Sequence, residues 1–78
     1  GGTTIEFDLP VTDTITMNIL DIRGRKVRTL IDREQLFGYQ AIMWDAKDDD
    51  GENVSSGVYF YQIKSRNFNE VGKLVFVK

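Results

Sequence analysis

Cysteine and histidine are both absent from these 78 residues. Without cysteine there is no thiol nucleophile, no zinc-thiolate site and no disulfide to staple a small fold, and the redox compartment stays open. Without histidine the commonest general base is missing, and a Ser-His-Asp triad cannot be assembled within the chain. Carboxylate pairs of the glycosidase kind remain formally open, but they need a cleft, and a thin domain of 78 residues has little room for one. The chain therefore reads as non-catalytic, with no cofactor. An excess of basic charge is also lacking. Twelve acidic against ten basic residues give a net charge of −2, the wrong sign for general nucleic-acid binding, which gains from displacing phosphate counterions. No apolar run approaches the ~20 residues of a membrane-crossing helix, and no signal peptide opens the chain. Proline occurs once.

What is present is 41% hydrophobic residues, arranged in short β-prone segments between turn residues. Residues 4–9 alternate strictly, with Ile5, Phe7 and Leu9 on one face, and Pro10 is expected to end that strand because proline cannot donate to a ladder. Residues 15–22 alternate again, placing Ile15, Met17 and Ile19 inward. A turn at Gly24 joins them to a strand over 26–31. Residues 32–38 (DREQLFG) are too few for an independent helix and read as a crossover loop. Further strands are expected over 39–45, with Ile42 and Trp44 inward, over 58–64, with Tyr59, Tyr61 and Ile63 on one face, and over 71–78. Residues 66–70 form a turn. Six to seven strands joined mainly by hairpins predict an all-β antiparallel sandwich. Gly1-Gly2 reads as an expression remnant, leaving one domain over 3–78 cut from a longer protein. Lys78 directly after a strand reads as a natural C-terminus.

Two charged stretches stand out. Arg23, Arg25, Lys26 and Arg28 crowd one end of a strand, and residues 45–57 (DAKDDDGENVSSG) hold five acidic groups. The bland expectation is a pair of solvated turns. The acidic stretch fails as an EF-hand. With Gly51 at the glycine position, Ala46 and Gly57 fall where the first and last ligands belong. An irregular calcium site on Asp45, Asp48 and Asp50 stays open. The alternative is structural: Asp50-Gly51 makes a turn, Asp45 accepts loop N–H groups, and Gly57 pivots the chain into the next strand.

Several quoted segments carry a resemblance over nearly the whole chain. They are IxDIRGRKVRTL at residues 19–30, Trp44-Asp45, Asp50-Gly51, Gly57-Val58-Tyr59 and the closing Gly72-Lys73-Leu74-Val75-Phe76-Val77-Lys78. This pattern resembles the Ig-like domain of the flagellar hook-capping protein family. It is similar also to the C-terminal sorting domains of proteins exported by the bacterial type IX secretion system. The resemblance implies an Ig-like antiparallel β-sandwich of about seven strands without catalysis. On the sorting side it implies a module that directs an N-terminal cargo through the outer-membrane secretion translocon and sorting machinery to the cell surface or medium. Recognition would then rest on Gly57, Tyr59, Gly72, Lys73, Val75, Val77 and Lys78, with the last strand open to strand addition. Val54 stands where sorting domains usually carry proline. On the hook-capping side it implies a structural accessory domain, and a spacer in a surface enzyme or a calcium-stabilised binding module are the further alternatives.

Overall fold

β-branched and aromatic residues at alternate positions favour a pleated, half-buried surface, and the chain forms only strands. The computed structural model describes residues 2–78. Four strands are seen: β1 (Thr3–Leu20), β2 (Lys26–Trp44), β3 (Gly57–Lys64) and β4 (Asn69–Phe76). They form one antiparallel sheet in the order β2-β1-β3-β4.

Of the six to seven strands expected, the six placed on the sequence are four, because two pairs of them are fused. Proline does not end the first. Leu9 pairs with Gly38 and Asp13 with Leu36, so Pro10, Val11 and Thr12 stand opposite Phe37 alone. Pro10 lies in a stretch of β1 with no one-to-one ladder partner, where a missing N–H costs little. Residues 32–38 are not a crossover loop either. They continue β2 through a second irregularity, where Asp32 and Arg33 face Thr16 alone. Arg33 adopts φ 51° there, and its N–H donates to the Thr16 hydroxyl at 3.3 Å.

Such strands cannot be straight. Eighteen residues at ~3.3 Å each would span ~60 Å, whereas the longest extent of the molecule is 36 Å. The irregularities bend β1 and β2 so that their outer arms, residues 3–9 and 38–44, fold over the rest of the sheet. Trp44 shows the result. It pairs with Thr3 on β1, yet its ring meets Tyr59 of β3 edge-on at 5.3 Å and Phe76 of β4 at 6.2 Å. A second layer is therefore made by folding one sheet over itself, not by seven separate strands.

The core lies between the layers. Ile15, Met17, Ile19, Ile63 and Trp44 are its largest fully buried side chains, joined by Ile5, Leu9, Ile31, Ala46, Val54 and Tyr59. Phe7, Ile42, Tyr61, Leu74 and Phe76 pack against it at partial exposure. The buried Asn18 accepts a hydrogen bond from the Thr29 hydroxyl at 3.1 Å, so its carbonyl oxygen is satisfied.

Asp21 closes the β1–β2 turn. Its backbone carbonyl accepts from Gly24, which sits at φ 82°, and its carboxylate accepts from the N–H groups of Arg23 and Arg25 and from Arg25 Nε. The Arg25 backbone N–H, opposed by desolvation and helped by the Arg25 side chain and the Arg23 N–H, holds the Asp21 carboxyl below its ordinary value of 3.8. A carboxyl lowered by folding contributes stability above its unfolded value, and that contribution is lost as pH falls through the folded one. Asp21→Asn should therefore destabilise the chain at pH 7 and melt with a flatter acid dependence below roughly pH 4. Parallel melting curves for the two proteins between pH 7 and pH 3 would refute this.

Candidate functional site

The acidic loop is built outward from Trp44. The indole N–H donates to the Lys47 carbonyl at 2.9 Å, while the Lys47 N–H donates to Asp45 Oδ1 at 3.2 Å. Arg28 Nη1 reaches in from β2 to the same Oδ1 at 2.9 Å and to the Lys47 carbonyl at 3.1 Å. Asp48 Oδ1 accepts from the N–H groups of Asp50 and Glu52, and its carbonyl accepts from Gly51. Gly51 lies at φ 82°, a conformation that glycine adopts without steric cost. Lys47 and Asn53 form a bridge below the tip, and Val54 N–H donates to the Ala46 carbonyl at 3.0 Å.

Asp49, which nothing in the sequence separates from its acidic neighbours, does a different job. Its N–H donates to the Val27 carbonyl at 3.0 Å and its Oδ1 accepts from the Thr29 N–H at 2.9 Å. This residue satisfies the backbone on the outer side of β2 as a neighbouring strand would. Lys26 Nζ stands 3.9 Å from its other oxygen. The two charged stretches are therefore not independent solvated turns; they meet along the β2 edge.

The carboxylates proposed for calcium do not fit that ion. Asp45 lies against a guanidinium, which repels a cation, and one oxygen of Asp48 is already taken by two N–H donors. No group of three His, Cys, Asp or Glu side chains that could hold a metal occurs among the described residues. The open groove between the β1–β2 turn and the acidic loop is lined by both signs of charge, Arg25 and Lys26 against Asp21, Asp48, Asp49 and Asp50.

The remaining residues singled out in the sequence lie on the β3–β4 hairpin. Gly57 opens β3 opposite Phe76. Tyr59 faces the core, and its hydroxyl donates to the Ser55 carbonyl at 2.7 Å. Gly72 pairs with Tyr61, whose ring lies over it. Lys73, Val75, Val77 and Lys78 are exposed. Val77 and Lys78 fall beyond β4, which runs from Asn69 to Phe76 instead of 71–78, and the Lys78 N–H donates to the Ser56 hydroxyl at 3.0 Å. The turn before β4 is 65–68, closed by Ser65 N–H on the Phe68 carbonyl.

Asp45, Asp48 and Asp49 are thus tied into the fold by neighbouring donors, and comparison with known proteins gives the family of the chain. The FlgD Ig-like domain family matches residues 1–68. The chain belongs to that family. It is 38% identical over 63 residues to the basal-body rod modification protein FlgD of Salmonella typhimurium (strain LT2), and equally to that of Salmonella typhi. The matched stretch covers 81% of this chain and 27% of each relative, so the chain spans about a quarter of the length of the curated relatives it matches. No solved structure matches it. The hook-capping side of the resemblance is thereby shown; nothing in these matches speaks for the sorting side.

Proposed function

We propose that this FlgD-type Ig-like domain is a structural, non-catalytic accessory module that packs against other segments of its parent protein. The family match over 1–68 carries the reading. The spending of Asp45, Asp48 and Asp49 on internal hydrogen bonds supports it, because three of the loop's five acids are used to hold the fold.

The test exchanges modules. The matched stretch of the Salmonella typhimurium basal-body rod modification protein is replaced by this chain and motility is scored in a strain lacking the native protein. Restored swimming supports a structural module tolerant of sequence change. A stable, folded chimera that fails to restore it counts against the reading. The sorting alternative is tested separately, by fusing residues 3–78 to a reporter in a type IX-competent bacterium. Surface export that depends on residues 73–78 would displace the accessory reading.

A further inference from the structure

The sheet treats its two ends differently. On β2, Asp49 occupies the outer backbone groups of Val27 and Thr29, and irregular pairing interrupts the strand near Val27, Leu30 and Arg33. Bulges and a covering loop are two ways proteins keep an edge from pairing with another chain. The terminal strand β4 has neither. It pairs only with β3, its eight pairs run without a register shift, and it contains no proline.

Its exposed face is apolar and cationic. Tyr59, Tyr61, Leu74 and Phe76 turn toward the core, so alternation sends even residues of β3 and odd residues of β4 outward. Of these, Val58, Phe60, Val71 and Val75 are apolar and Lys64 and Lys73 are cationic. Val71 is 55% and Val75 63% exposed. No carboxylate occupies an outward position of either strand, although the chain is net acidic. Lys73 takes part in none of the ion pairs among the described residues. The outer arm of β2 also pairs on one side only, but the face beside it carries Glu6 and Asp8, the opposite sign.

We propose that β4 is a docking edge that accepts an extended segment of a partner by strand addition, with apolar residues on both faces of that segment and a carboxylate opposite Lys73. Main-chain bonds to the unpaired side of β4 supply affinity and the alternating side chains supply selectivity. Val71 and Val75 flank the outward side chains of the added strand, and the partly exposed edges of Leu74 and Phe76 are covered by its inward ones. The inference goes beyond the accessory role proposed above.

The probe is a synthetic nine-residue peptide of alternating valine and threonine with a central glutamate, and a second peptide with lysine at that place. Binding is read by fluorescence anisotropy and the site by amide hydrogen exchange. The glutamate peptide should bind about tenfold more tightly than the lysine peptide, slowing exchange in residues 69–76. Lys73→Glu, an exposed substitution that should leave the melting temperature unchanged, should invert that order. Absence of binding, the same preference in Lys73→Glu, or protection confined to 36–44 would each overturn the proposal. So would self-association of the chain through β4 that excludes the peptide.

Discussion

Trp44→Ala is expected to remove most of the stability of this chain. The side chain is fully buried and is the largest in the core. Replacing such a ring by alanine costs about 3–5 kcal/mol, whereas a domain of this length holds only about 4–12 kcal/mol in total. The loss should be at the upper end of that range, because Trp44 joins three parts of the structure. Its ring packs on Tyr59 and Phe76, tying the folded-over arm to β3 and β4, and its indole N–H fixes Lys47 at the root of the acidic loop. Thermal melts followed by circular dichroism should show a fall in Tm of at least about 12 °C. Trp44→Phe keeps an aromatic ring but leaves the Lys47 carbonyl one donor short, and should lose less than half as much. Should the alanine variant melt within a few degrees of the native chain, the two layers are held together elsewhere.

Burial along the strands was readable from period alone. Ile5 and Leu9, then Ile15, Met17 and Ile19, then Trp44, Tyr59 and Ile63 all lie where alternation places them. Strand boundaries were not. Pro10 looks like a stop because proline cannot donate to a ladder, but that argument assumes a partner opposite. A bulge removes the partner, and no local property of residues 10–12 announces that Phe37 alone will face them. The polar run 32–35 looks like a loop for a similar reason: its side chains are exposed and Arg33 breaks the alternation at φ 51°, yet the backbone continues to pair. Placing six strands where there are four follows from these two misreadings.

The acidic loop shows the same division. Its turn chemistry follows from residue types: aspartate carboxylates accept nearby N–H groups and Gly51 takes a positive φ. What residue types could not show is its long-range role. Asp49 reaches across 20 residues to Thr29, and Arg28 reaches 17 to Asp45. Neither pairing has a sequence signature, because only the bend in β2 brings Trp44 back to the level of Arg28. The loop accordingly guards the β2 edge, and that is why the sheet has an open edge at β4 and not beside residues 27–29.

Gly72→Val is expected to destabilise the chain, against the usual preference of strands for β-branched residues. Glycine in a strand ordinarily costs stability through its backbone entropy, and replacing it should help by roughly 0.5–1 kcal/mol. Here the cross-strand partner reverses the sign. Tyr61 lies directly over Gly72, and a Cβ built at that position would overlap the phenol ring, including its hydroxyl. The ring would have to swing away and surrender its packing against the core. Overpacking of this kind costs about 1–3 kcal/mol, which outweighs the entropic gain. The decisive measurement is a double-mutant cycle. In a Tyr61→Ser background the obstruction is gone, so Gly72→Val should become neutral or stabilising, with a coupling of about 1–3 kcal/mol. If Gly72→Val is equally destabilising in both backgrounds, the glycine is required by the backbone of β4 and not by the ring above it.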